Sequence, residues 1–402
     1  MASQFNRRDF IKLSGFASAS LFVPNFLMAS SLPASLSKQK KLVVIQMSGG
    51  NDGLNCIIPY RNDLYYKLRP TLGYRSNELI ALSDDVGLNL QLSGIADLFF
   101  NGDVVMINNV GYPNPNRSHF RSMDIWQSGS DANTYLNTGW LGRTLDAQCT
   151  NTTMPKPHTA IEIDDSLSLA LKGEKVSGFA TNNMDLLKST TENKMIQHIA
   201  ETGADEHGEN QVAYLYKQLA STYSSANYIY AQSKIYQNPT VYPDTQLGKQ
   251  LKTIAELILA ETDTNIYYVS MSGFDTHAMQ RGQQERQLKQ YNDAVKIFCD
   301  DLKAHHVFDD TLIMTFSEFG RRVEENGSKG TDHGTANNIY LIGGGLKQGG
   351  MMNDLPDLNA LIDGDIPYTM DFRNIYSTIL ESWLQVDAKA ILGKSFSNLG
   401  FI

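Results

Sequence analysis

Short apolar runs alternate with amphipathic stretches along most of this chain. Lys41 to Met47 reads Lys-Leu-Val-Val-Ile-Gln-Met, apolar and β-branched, and it ends in Ser48-Gly49-Gly50. A run that is apolar at consecutive positions and stops at glycines predicts a strand buried on both faces and running into a tight loop. The same reasoning predicts strands at 103–108, 159–163, 265–270, 311–316 and 338–343. Helical spacing takes over between them. Leu288, Tyr291, Val295, Phe298 and Leu302 recur every three to four residues within 284–305, so one face of a long helix is apolar. Shorter helices are expected at 95–100, 117–127 and 376–384. From about 180 to 262 the pattern turns polar and helical, with segments at 211–225 and 246–261 parted by Gly, Asn and Pro, and it reads as a helical insertion over the core. Strands alternating with helices predict an α/β domain over 40–402, with a mostly parallel central sheet and helices on both faces.

The first 35 residues read differently. Asn6-Arg7-Arg8-Asp9-Phe10-Ile11-Lys12 precedes an apolar stretch to about Met28, then small residues at Ala29-Ser30-Ser31 and Ala34-Ser35. That order predicts a twin-arginine export signal over 1–35, and with it a periplasmic or otherwise exported protein. The Ser, Gly, Pro and Asn within the stretch make it a poor permanent membrane span. A net charge of −9 excludes the basic face that nucleic acid requires. It does not exclude a small anionic substrate, because a bound metal overrides the overall sign locally. Cys56, Cys149 and Cys299 are far apart and lack CxxC spacing, so no zinc knuckle or redox pair is expected; one disulfide is open to them in an oxidising compartment, but they read best as small apolar residues.

Candidate chemistry clusters just beyond the predicted strands. Asp52 follows the first strand in Ser48-Gly49-Gly50-Asn51-Asp52-Gly53. Asp275 and His277 follow the 265–270 strand, and Glu318 follows 311–316. Asp332 and His333 sit between glycines in Gly330-Thr331-Asp332-His333-Gly334. Oxygen donors and neutral imidazoles suit zinc or manganese, and strand ends are where open α/β sheets gather ligands. Each has a plainer reading. Asp275 serves equally as a helix cap, Glu318 as the partner of Arg321 or Arg322, and Asp52 as a turn residue. Ser118 and His119 open a predicted helix, a place suited to a nucleophile or anion as well as to a serine N-cap. Arg321 or Arg322 offers a fork for an anionic substrate. Neither GxxxxGK[ST] nor GxGxxG is present, which argues against a nucleotide site.

Six ordered motifs together resemble the DUF1501 family: Ser48-Gly-Gly-Asn-Asp-Gly53, Arg117-Ser-His-Phe120, Thr138-Gly-Trp-Leu-Gly-Arg143, Gly273-Phe-Asp-Thr-His277, Ser317-Glu-Phe-Gly-Arg321 and Gly330-Thr-Asp-His-Gly334. The resemblance runs from about Lys41 to the C-terminus and implies an alkaline phosphatase/sulfatase-like fold. Asp52 resembles that superfamily's metal-binding Asp after the first strand. Ser118 to Gly129 resembles its nucleophile helix, with His119 at the nucleophile's place and Ser118 one step away. Glu318-Phe319-Gly320 resembles an Asp-His-Gly metal motif in which the carboxylate is kept and the histidine lost. Asp275 and His277 resemble a ligand pair, and His333 resembles the last ligand.

The resemblance implies an exported metal-dependent hydrolase of phosphate or sulfate esters, acting on a small anionic ester or a polymer. One or two zinc or manganese ions would be held by Asp52, Asp275, His277, Glu318, Asp332 and His333. Ser118 would be the nucleophile, or His119 the base, ligand or covalent acceptor, and Arg321 would hold the anion. The competing expectation is a non-catalytic exported binding or assembly protein. It would keep the fold and a structural metal, and engage a protein partner through the helical insertion.

Overall fold

Strand β1 (Lys41–Met47) is buried at every position, as its unbroken apolar run requires. Its alternating side chains enter two different cores: Val43, Ile45 and Met47 one, Leu42 and Val44 the other. A computed structural model describes residues 39–149, 156–204 and 211–402 of the chain. The twin-arginine pattern and the rest of the expected signal lie outside the described residues.

The other strands of the large sheet are β2 (Val104–Gly111), β3 (Ala160–Glu162), β4 (Phe179–Ala180), β5 (Ile266–Met271), β6 (Thr311–Phe316), β7 (Asn337–Ile342), β8 (Gly350–Met352) and β9 (Met370–Asp371). Their order is β8-β2-β7-β6-β1-β5-β3-β4, with β9 also pairing with β2. All these pairings are parallel except those of β7, which runs antiparallel to both β6 and β2. The sheet is thus mostly parallel, and the architecture is α/β. A second, three-stranded antiparallel sheet joins 57–58, 87–89 and 79–81. Those strands are too short to leave a periodic signal.

Helices cover both faces, and each presents the apolar stripe its spacing encodes. On one face lie α2 (Ser93–Phe100), α8 (Gln246–Leu259) and α9 (Gln280–Ala304), following α1 (Asp63–Leu68) in the chain. Leu288, Tyr291, Val295, Phe298 and Leu302 of α9 are all buried there against Ile45, Val269 and Ile313. On the other face lie α3 (His119–Ser128), α4 (Trp140–Gln148), α10 (Phe372–Thr378) and α11 (Ala388–Leu392). Trp126 of α3 stacks between Phe316 and Phe372, at 5.2 and 4.3 Å between ring centres. Burying each such aromatic side chain contributes about 1.5–3 kcal/mol. Between β4 and α8 the chain forms α5 (Met184–Thr191), α6 (Lys194–Ala204) and α7 (Gln211–Gln232).

This topology fixes where a site can form. The loops after β1, β2, β5 and β6 all leave the sheet at the carboxyl end of parallel strands. Because β7 is antiparallel, it begins where those neighbours end, so the segment 330–336 feeding into it lies along the same edge. Among the described residues no helix is long and apolar enough to cross a membrane. Cys56 and Cys299 are buried and Cys149 is half-buried.

Candidate metal centre

Three imidazoles and one carboxylate meet at this edge. Oδ1 of Asp275, in the loop after β5, lies 3.0 Å from His277 Nε2, 3.2 Å from His333 Nε2 and 3.6 Å from His119 Nε2. His277 and His333 bring their Nε2 atoms within 3.0 Å of each other. Donor atoms of His119, Asp275 and His333 all fall within 4.8 Å of one another.

The partners of the opposite ring nitrogens decide what these four groups want. His333 Nδ1 faces the Arg117 carbonyl at 2.8 Å; a carbonyl only accepts, so Nδ1 carries the proton and Nε2 the lone pair. His119 Nδ1 faces Oε1 of the fully buried Glu318 at 2.8 Å. His277 Nδ1 faces Asp332 Oδ1 at 3.4 Å. Both carboxylates accept, so the same tautomer follows in each ring. Three Nε2 lone pairs therefore converge on a carboxylate oxygen with no donor of their own to offer. His119 Nε2 is buried and has no hydrogen-bond partner. This orientation of imidazoles by carboxylates and a backbone carbonyl is the arrangement that supports metal-ligating histidines.

The spacing fits a cation. A tetrahedral ion with ligand bonds of about 2.0–2.1 Å sets its donors about 3.3 Å apart, and the separations of the three Nε2 atoms from Asp275 Oδ1, 3.0–3.6 Å, bracket that. His119, Asp275 and His333 offer an N/O donor set that suits a divalent metal, with His277 at its exposed side beside Asp275 and His333.

The electrostatics agree. Burial opposes ionisation of Asp275, but the Arg321 guanidinium at 2.7 Å leads the groups that outweigh it and hold the carboxyl down to about 2. The hydrogen bond to Glu318 raises the pKa of His119 above its ordinary value, making it a more basic ligand. Burial lowers that of His333. The hydrogen bond from Asn326 leads those that keep Asp332 below the usual carboxylate range. His277 and Asp275 are about half exposed (side-chain exposures of 45% and 48%), so the centre is open to solvent on that side.

Glycines make the convergence sterically feasible. Gly49 has φ +120°, its N–H donates to Glu318 Oε1 at 2.8 Å, and a Cβ there would lie 2.4 Å from the Asp275 nitrogen. A Cβ on Gly330 would strike the His277 backbone at 2.3 Å. Phe319 walls the site with its ring 4.8 Å from those of His119 and His333.

Several expected residues are placed elsewhere. Asp52 is buried away from the imidazoles. Its Oδ2 accepts from Arg69 at 2.6 Å and from Gln280 Nε2, a fully desolvated ion pair beneath the loop. Arg321 is 2% exposed and spends its guanidinium on the Gly49, Gly50, Phe274 and Thr331 carbonyls and on Asp275, so it braces the loops and offers no fork to a substrate. Glu318 and Asp332 hold imidazoles by Nδ1 and do not face the converging Nε2 atoms. Ser118 stands at the N-cap position of α3, but its hydroxyl caps nothing. Among the described residues no imidazole or carboxylate hydrogen-bonds that hydroxyl as a base; the Ser118 N–H is taken by Asn116 Oδ1 at 2.8 Å. Arg69 and Gln280, which claim Asp52, carry no motif that would have singled them out.

Residues 105–394 match the family described as "Protein of unknown function (DUF1501)". No curated protein matches the sequence. Among solved structures, similarity extends to the phosphonate monoester hydrolase SpPMH from Silicibacter pomeroyi, at 8% identity over 90% of this chain and 78% of that one, TM-score 0.38. The PsFucS1 sulfatase from a Pseudoalteromonas species shares 12% identity over 92% and 72% of the two chains, TM-score 0.36. The C-terminal periplasmic domain of EcEptC from Escherichia coli, in complex with zinc, shares 10% identity over 76% and 72%, TM-score 0.36.

Proposed function

The chain belongs to the DUF1501 family, and for this member we propose a metal-dependent hydrolase of phosphate or sulfate esters that acts after export by the twin-arginine route. The observation that carries the metal is the convergence of three Nε2 lone pairs on Asp275 Oδ1, each imidazole turned by an acceptor at Nδ1. His119, Asp275, His277 and His333 would hold one zinc or manganese ion. Such an ion, when bound, would act as a Lewis acid toward an anionic ester oxygen and lower the pKa of a water.

The chain's own residues do the rest. Glu318 and the Arg117 carbonyl fix the buried side of the centre, through His119 and His333. Arg321 ties Asp275 to the loops after β1 and β5, which keeps the charged oxygen aimed at the imidazoles. Phe319 excludes water from the inner wall, while the half-exposed His277 leaves the outer side open to a substrate. With no base on Ser118, we assign the attacking oxygen to water and not to a serine. The ester class rests on the ordered motifs of the sequence.

The test is direct. Purified protein spanning residues 40–402 should retain about one metal per chain and turn over at least one member of a panel of aryl phosphate, phosphodiester and aryl sulfate. Turnover that survives Asp275→Ala combined with His277→Ala would defeat the proposal. The engagement of Arg321 and the solitary Ser118 favour one second reading, a binding protein with a structural metal. It would appear as a metal-replete chain inert on the whole panel.

A further inference from the structure

Beside the metal centre lies a cavity of about 700 Å3, within the range of small-molecule sites. Its walls are continuous with the centre. Asn114 to Arg117 form one side, and Arg117 is two residues from His119 and presents its carbonyl to His333. Thr335, two residues beyond His333, forms another side, and the 362–368 segment closes the third.

The charges in this cavity cancel internally. The Arg117 guanidinium is clamped by the buried Asp365, and Arg322 Nε lies 3.7 Å from the same carboxylate. Asp363 adds a further negative group. No uncommitted cation is left to receive a second anionic group of a substrate. What remains is Tyr368 at 36% exposure, the apolar Pro115, Ile362 and Pro367, and polar groups that can bond outward. Asn116 uses its Oδ1 on the Ser118 amide, leaving its Nδ2 donors for a ligand. A purely alkyl or aryl group seated here would meet Pro115, Ile362, Pro367 and Tyr368, but it would strip water from Asn114, Asn116 and Asp363 and return no hydrogen bonds. A polyhydroxylated ring satisfies both halves: its C–H face lies on the tyrosine, and its hydroxyls pair with amides and carboxylate.

We propose that this cavity binds an uncharged saccharide unit, the alcohol portion of the ester whose anionic group meets the metal centre. The inference rests on the hydrolase reading for its link to catalysis, but the binding itself does not require turnover. An array of uncharged oligosaccharides is to be screened against the purified chain, with hits measured by titration calorimetry. The expected result is saturable binding that persists in the Asp275→Ala, His277→Ala double variant. It should weaken about tenfold or more in Tyr368→Ala, which removes the ring face. Ile362→Arg, a change at an exposed rim position, should block the cavity without touching the core. Turnover of small aryl esters with no saccharide hit, or hits indifferent to both cavity variants, overturns the inference while leaving the hydrolase intact. Saccharide binding in a chain inert on every ester does the reverse.

Discussion

Replacing Glu318 by Gln isolates the effect of one buried charge on the metal centre. Oε1 of Glu318 receives both the Gly49 N–H and His119 Nδ1–H, each at 2.8 Å, while Oε2 lies 3.1 Å from Ser317 Oγ. A glutamine in the same rotamer keeps its oxygen on Gly49 and His119. Its Nε2 then donates to Ser317 Oγ, whose own proton goes to the Met47 carbonyl at 2.6 Å. Every hydrogen bond is remade, and only the charge is lost. A bond to a charged acceptor is worth about 1 kcal/mol more than a neutral one. The part transmitted through His119 should therefore cost about 1–3 kcal/mol of metal binding, a loss of about 10–100-fold in affinity. Competition between the protein and a chelator, followed by cobalt absorbance, measures this. Denaturant unfolding of the metal-free variant is the control and should change little. A Glu318→Gln protein that holds metal within twofold of the wild type would refute the role given to this carboxylate.

Three other changes separate scaffold from site. Asp52→Ala strips the partner from buried Arg69 and should cost about 3–5 kcal/mol of stability without altering metal stoichiometry in the folded fraction; a loss of metal at unchanged stability would return Asp52 to the ligand set. Gly49→Ala forces a Cβ into the Asp275 backbone at positive φ and should abolish tight metal binding; a variant that keeps it would show that the two loops are free to part. Glu162, 3% exposed, is pushed up to about 7 by burial, so the native state holds a proton that the unfolded chain has released. Its stabilisation is complete below about pH 4.5 and fades as pH rises toward 7. Stability of Glu162→Gln relative to wild type should then improve by up to about 3 kcal/mol between pH 4 and 8 in urea titrations, and parallel curves for the two proteins would contradict it.

The sheet was readable because its central strands β1, β5, β6 and β7 are apolar on both faces, and because α9 repeats apolar residues at helical spacing. Strand ends follow from those runs, so Asp275, His277, Glu318 and His333 could be placed near one edge before any coordinates. What periodicity does not carry is partner choice. Asp52 and Glu318 both lie in loops that follow neighbouring strands. One is captured by Arg69, which arrives from a turn-rich segment just after α1, and the other meets an imidazole. Arg321 shows the same limit. Nothing in Phe319-Gly320-Arg321 announces that the surrounding loop carbonyls will take up its donors. Short strands such as 57–58 and 179–180 are likewise set by tertiary pairing and not by local pattern.

The four donors come from three stretches of chain far apart in sequence, and the last of them is delivered by the only reversed strand among the described strands of the large sheet. A fragment ending before residue 333 lacks the last of them. On the proposed reading the full donor set forms only after β7 has slotted between β2 and β6, so metal occupancy would report that the sheet has been assembled in the correct order. A chain caught with β7 unpaired would be metal-free, and saturating metal would draw the population toward the completed sheet.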